Sequence, residues 1–168
     1  MNITKFTQKS VEILNNLEKI AYDFGNQEIT QEHLLYAMLT IDDSLLSKLM
    51  QKMDISPEVF IAQVEGLIKK RPKVEGGQVY VGNELNKVLV YAENEAKAMG
   101  DEYVSVEHLF LSMLRYPSHE IKALFKEFQI DRERFLQALS KVRGNQKVTS
   151  DNPEAVYESL EKYGTDLV

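Results

Sequence analysis

The sequence contains no cysteine. That absence excludes a disulfide framework, a cysteine-ligated zinc or iron–sulfur centre and a thiol nucleophile, and it fits a reducing compartment. Helix breakers are scarce, with four prolines and eight glycines in 168 residues, so long stretches are free to be helical. No apolar run approaches the roughly 18 residues of a membrane span. The opening Met1-Asn2-Ile3-Thr4-Lys5-Phe6-Thr7 lacks the apolar stretch of a signal peptide. A cytoplasmic protein without a membrane partner is expected. Cations are in deficit, 20 Lys and Arg against 26 Asp and Glu for a net charge of -6. Phosphate neutralisation needs excess cation, so no nucleic-acid partner is expected. The phosphate-binding, dinucleotide-binding, serine-hydrolase and zinc-protease motifs are all missing. No cofactor, metal or catalytic residue is therefore expected.

What is present is helical periodicity. After Thr7, apolar residues fall at Val11, Ile13, Leu14, Leu17, Ile20, Ala21 and Phe24, mostly three or four apart, which buries one helix face. Gly25 suits the left-handed turn that ends such a helix. Thr30 is a good N-cap for a second helix to about Thr40, and Ile29 can close over Leu34 as a hydrophobic staple. Asp42, Asp43 or Ser44 can cap a third, through Leu45, Leu46, Leu49 and Met50. Ser56-Pro57-Glu58 combines a cap, a first-turn proline and an early acid, and starts a fourth.

Shifted by 75 residues, the pattern returns without a gap. Gly25 meets Gly100, Glu32-His33-Leu34 meets Glu107-His108-Leu109, and Met38-Leu39 meets Met113-Leu114. Leu14, Glu18, Ala21, Leu49, Ile55 and Phe60 meet Leu89, Glu93, Ala96, Leu124, Ile130 and Phe135, and the cap Ser56 meets the cap Asp131. The chain is therefore all-α: two tandem four-helix repeats, about 7–70 and 83–143. A unit of some 60 residues buries little alone, so the pair is expected to share one core across a pseudo-two-fold axis, in one domain over 1–144. Arg71 to Gly82, with its proline and paired glycines, reads as a connecting loop. Residues 145–168 read as a polar linker, mobile at least to Ser150, with a short helix capped by Asn152 and ending at Gly164.

Two features invite a chemical reading. His33 and His108 are repeat equivalents beside Glu32 and Glu107. A shared metal is one reading, though no i,i+4 ligand pair accompanies it; a glutamate complementing the helix N-terminus, with histidine packed beside it, is the simpler one. The run Lys69-Lys70-Arg71-Pro72-Lys73 complements a helix C-terminus. More informative is where the repeats differ. Asn15 and Asn16 become Val90 and Tyr91, and Glu28 becomes Tyr103. Val88 to Ala92 is a continuous apolar run, more than one helix face can bury. Either the linker covers Val90, Tyr91 and Tyr103, or they line an exposed groove for an extended peptide.

The twin blocks Ile29 to Leu35 and Val104 to Phe110, the opening Phe6-Thr7, the two glycines and the gapless repeat resemble the N-terminal domain of Clp-type ATPase chaperones. The loop Arg71-Pro72-Lys73-Val74-Glu75-Gly76-Gly77 and the segment Tyr157 to Leu167 resemble the disaggregase branch, ClpB-type. The resemblance implies a non-catalytic substrate-binding domain of a hexameric, ATP-driven unfoldase, itself a monomer when isolated. Its implied partners are apolar segments of unfolded or aggregated polypeptides, and in sister branches adaptor or co-chaperone proteins. An adaptor-docking domain of a ClpC- or ClpA-type protease unfoldase is the alternative. The chain ends before any phosphate-binding loop, so no nucleotide cofactor is expected. By analogy the groove runs between the first helix of one half and the second helix of the other. The matching positions are Thr7, Leu89, Tyr91, Asp101, Tyr103, Glu107 and His108; with Val90 from the repeat comparison they make the candidate binding set.

Overall fold

A computed structural model describes residues 5–155 together with residue 157. The first repeat comprises α1 (Gln8–Asp23), α2 (Gln31–Thr40), α3 (Leu45–Lys52) and α4 (Pro57–Lys69). The second comprises α5 (Asn83–Ala98), α6 (Val106–Arg115), α7 (His119–Glu127) and α8 (Arg132–Arg143). The helix starts follow the chemistry of the caps. Thr7, Ser44, Ser56 and Asp131 each accept a backbone N–H of the first turn on the side chain, which satisfies a donor that has no intrahelical partner. The expected run of eight helices in two repeats is present, and the expected all-α fold with it.

Backbone detail repeats as well. Gly25 and Gly100 both have positive φ, 77° and 71°, and the side chains of Lys73 and Lys147 lie over them. Asp54 and Gln129, another repeat pair, take left-handed conformations of 59° and 56° to close α3 and α7.

The halves are joined by exchange. β1 (Glu28–Ile29), ahead of α2, pairs in parallel with β2 (Tyr80–Val81), which leads into α5. In the mirror arrangement Phe6, ahead of α1, bridges in parallel to Val104, ahead of α6. Each half thus contributes the lead-in of its first helix to the other half. The stretch read from sequence as a connecting loop supplies β2. Gln31 adds a polar tie: its amide donates to the carbonyls of Glu84 and Tyr116 at 3.1 and 2.8 Å and accepts from the Ser118 N–H at 2.8 Å. The apolar residues form one continuous core drawn from both repeats. Phe60 against Phe128, ring centroids 5.0 Å apart, carries it across the boundary. Among the described residues no helix is long and apolar enough to cross a membrane.

The segment after Gly144 departs from expectation. Its described residues are docked, on the second repeat and on the start of α1. Val148 is fully buried, its N–H donates to Asp101 Oδ1 at 2.9 Å, and its carbonyl accepts from the Glu102 N–H at 2.8 Å. Asp151 accepts the Gln8 N–H at 2.7 Å, and Tyr157 is buried. The remainder of the helix expected to Gly164 lies outside the described residues.

Candidate functional site

Each repeat carries a buried polar knot at the start of its second helix. In the first, the Thr30 N–H donates to His33 Nδ1 at 2.9 Å, which gives Nε2 the donor role toward Asn26 Oδ1 at 2.9 Å. Glu32 lies beside it, fully buried, and accepts Nε and Nη2 of Arg71 at 2.7 and 2.6 Å. In the second, the Ser105 N–H donates to His108 Nδ1 at 2.8 Å, and His108 Nε2 meets Asp101 Oδ2 at 2.6 Å. Arg143 donates to Asp101 Oδ1 at 2.5 Å and to Glu107 Oε2 at 3.1 Å. The Tyr157 hydroxyl also donates to Glu107 Oε2, at 3.1 Å.

Burial sets the electrostatics of both knots. Removal from water, with Arg71 nearby, pushes the His33 imidazole down to about 4. Burial alone would raise the Asp101 carboxyl, but hydrogen bonds from His108, Arg143 and the Val148 N–H together outweigh it and hold Asp101 well below the usual carboxylate range. Burial, reinforced by the Glu107 charge, pushes the Tyr157 phenol far up.

These knots reassign most of the sequence-predicted site. Asp101, Glu107 and His108 are buried and spent on internal partners. Thr7 is buried and caps α1, its Oγ1 accepting the Ser10 N–H. Leu89 is core. All five are buried in this fold. The histidines are not dipole bystanders either; each takes the reciprocal role of a capping box. Both ring nitrogens of each histidine are engaged, so neither imidazole is open to a metal, and no group of three or more His, Asp or Glu side chains placed to hold one occurs among the described residues.

The other three residues are accessible, but the fold separates them. Tyr103 lines a cleft of about 570 Å³ with Phe6, Val11, Glu12, Asn15 and Asn16 of α1 and its lead-in. Val90 and Tyr91 occupy the repeat-equivalent face, on α5, where Val81 stands for Phe6 and Glu28 for Tyr103. Val90 is 50% exposed and Tyr91 38%. The Tyr91 ring packs on Tyr116, centroids 5.0 Å apart. Sequence reasoning missed two exposed apolar residues ahead of α5: Tyr80 and Val81 of β2 are 53% and 45% exposed. Unlike Phe6, which is buried, Val81 stands open, a difference that the repeat alignment alone does not carry. The docked tail lies over the second polar knot and leaves Val90 and Tyr91 open.

Comparison with known proteins agrees with this architecture. Residues 5–128 match the Clp repeat N-terminal domain family. The chain is 44% identical over its whole length to the chaperone protein ClpB of Nitratidesulfovibrio vulgaris, and 41% identical to that of Bacillus cereus, in each case covering 20% of the relative. It therefore spans about a fifth of the length of these relatives. Among solved structures, the Hsp104 N-terminal domain from Candida albicans superimposes with a TM-score of 0.78 at 22% identity, over 89% of this chain and 99% of that one. A ClpV N-domain in complex with a VipB peptide gives 0.62 at 21% identity, over 82% and 86%. The repeat read from the sequence, the exchanged lead-ins and these matches agree: the chain belongs to the Clp repeat N-terminal domain family.

Proposed function

We propose that this chain is a substrate-binding domain that captures apolar segments of unfolded or aggregated polypeptides on the β2–α5 face, for a ClpB-type, ATP-driven unfoldase. The carrying observation is where apolar surface stands open. Of the seven large hydrophobic side chains exposed among the described residues, four, Tyr80, Val81, Val90 and Tyr91, fall on β2 and α5, while Tyr22, Val59 and Val74 lie singly on α1, α4 and the loop between the repeats. Apolar side chains left exposed on adjoining elements mark interaction sites, and tyrosines are frequent anchors of binding energy. The α1–Tyr103 cleft is the polar counterpart of that face and a secondary place for an extended chain. The domain binds and does not catalyse; adenine nucleotide and hexameric assembly belong to the rest of a full-length protein.

The test is a titration of the chain with a labelled, permanently unfolded polypeptide of low net charge, monitored by anisotropy and by amide chemical shifts. Shifts should centre on residues 80–91. The double variant Val90→Ser, Tyr91→Ser should weaken binding about tenfold or more, which corresponds to ~1.4 kcal/mol. Unchanged affinity in a folded double variant would overturn this assignment.

A further inference from the structure

A second cleft, of about 440 Å³, opens between the end of α6, α7 and the start of α8. Its floor is apolar: Leu114, Pro117, Phe125 and Ile130. Its rim is cationic: Arg115, Lys122, Lys126 and Arg132. Lys122 and Lys126 are exposed, one turn apart on α7, and neither side chain has an ion-pair partner among the described residues. Arg115 and Arg132 each reach the same carboxylate, Glu95, at 2.8 Å, and a guanidinium so engaged keeps further N–H donors to offer. The lining contains a single carboxylate, Asp131, which accepts the Arg134 N–H as the cap of α8.

The repeat supplies an internal control. The positions equivalent to the four cations are Thr40, Ser47, Gln51 and Pro57 in the first half. Not one is charged, although the floor positions Leu114, Phe125 and Ile130 correspond to apolar Leu39, Met50 and Ile55. The scaffold therefore does not require cations here. They are gathered around an apolar floor, in one half only, in a chain whose net charge is -6.

We propose that this cleft is a docking site for an acidic peptide segment of another protein, one in which an aliphatic or aromatic anchor is flanked by Asp and Glu. The anchor fills the floor and the flanking carboxylates meet Lys122, Lys126 and the free edges of Arg115 and Arg132. Complementary charge of this kind sets partner choice and association rate, and the apolar floor supplies the desolvated centre that phosphate recognition alone does not use. This site shares no lining residue with the β2–α5 face, although Tyr91 packs on Tyr116 beside it.

The experiment uses the whole chain and a short dye-labelled peptide with a central Phe-Leu pair flanked by Asp and Glu. Three further probes accompany it: the same peptide with flanking Lys, the same acidic peptide with Ser for the anchors, and a single-stranded oligonucleotide. The acidic, anchored peptide should bind best, and raising salt from about 0.05 to 0.3 M should weaken it as the Debye length shortens. The double variant Lys122→Glu, Lys126→Glu changes two exposed side chains and should keep its helical circular dichroism while losing about tenfold or more in affinity for the acidic probe. The pair Val90→Ser with Tyr103→Ser should retain that affinity. No binding of the acidic probe, equal binding of the Lys-flanked peptide or of the oligonucleotide, unchanged affinity in the charge-reversed variant, or loss of affinity in the Val90/Tyr103 variant would each overturn the proposal.

Discussion

The two polar knots solve the same problem with different charges. Both bury a glutamate and a histidine at the start of a helix, and both hold the glutamate with an arginine from downstream: Arg71 for Glu32, Arg143 for Glu107. In the first repeat the histidine leans on a neutral amide, Asn26; in the second that position is Asp101, whose carboxylate takes the histidine, the arginine and the tail backbone at once. Arg71 remains 25% exposed and Arg143 only 3%. The same scaffold therefore holds a loosely wetted ion pair in one half and a dry network in the other. The extra carboxylate is what gives the tail a backbone acceptor in the second half.

The sharpest way to break this comparison is to remove each arginine. Arg143→Ala would strand two buried carboxylates, and should cost about 3–5 kcal/mol in a urea melt. Arg71→Ala should cost less, about 1–3 kcal/mol, because water can reach the vacated side. Equal losses would mean that the second network is no drier than the first.

Acid should separate the halves next. The His33 pKa is lowered by folding, from an ordinary 6.5 to about 4. The unfolded chain therefore binds more protons across that window, and stability falls as pH drops from about 6.5 to 4, by up to about 3 kcal/mol. The Asp101 pKa is also lowered, and the stability it contributes is present above its ordinary range near 3.9 and lost only below it. The first repeat thus governs mild acid and the second strong acid. His33→Gln keeps a side chain suited to the capping box and should flatten the upper window in pH-dependent melts; Asp101→Asn should leave that window unchanged.

How much of this was legible in the sequence depends on the range of the interaction. Helix starts are local: Ser56-Pro57 announces α4 by itself, and the internal repeat doubles every such signal. The exposure of Val90 and Tyr91 was legible because Asn15 and Asn16 report what the fold tolerates at those places. The docking of the tail was not legible, since it rests on Asp101 and Glu107 meeting Arg143, Val148 and Tyr157 across some 36 to 50 residues of sequence. A polar composition suggests a mobile linker, yet the segment is tied down by the buried Val148 and Tyr157 and by a few satisfied backbone groups. For the same reason Thr7, Leu89, Asp101, Glu107 and His108 looked available as binding residues when they are interior. The separation of Tyr103 from Tyr91 needed the exchanged lead-ins, which put Tyr103 on the α1 cleft of the first half while Tyr91 stays on α5 of its own half.

A smaller effect tests the tail. Tyr157→Phe removes one hydrogen bond to Glu107 while keeping the buried ring, and should cost about 0.5–1.5 kcal/mol. Limited proteolysis should then cut within residues 145–155 sooner than in the parent chain, with no matching change in the loop at 74–78. Identical cleavage kinetics would show that Val148 and Asp101 hold the segment without the phenol.

The smallest expected change in stability comes from exchanging residues between the two outer faces. Tyr91→Asn installs the residue that the first repeat already carries at position 16, and Asn16→Tyr makes the reciprocal change. Tyr91 gives up its ring contact with Tyr116, but its side chain is more than one-third exposed, and the equivalent of Tyr116 in the first half is Ile41, also only partly buried. Each exchange should therefore shift a urea midpoint by the equivalent of less than about 1 kcal/mol, as surface substitutions do. A core tyrosine truncated in this way would instead cost about 3 kcal/mol or more. Binding of unfolded polypeptide should move in opposite directions, weaker for Tyr91→Asn and stronger for Asn16→Tyr, because the new ring stands beside Phe6, Val11 and Tyr103 in the α1 cleft. A stability loss of several kcal/mol for Tyr91→Asn would make that tyrosine a packing residue. A gain of binding in the first half without a loss in the second would move the working groove to α1.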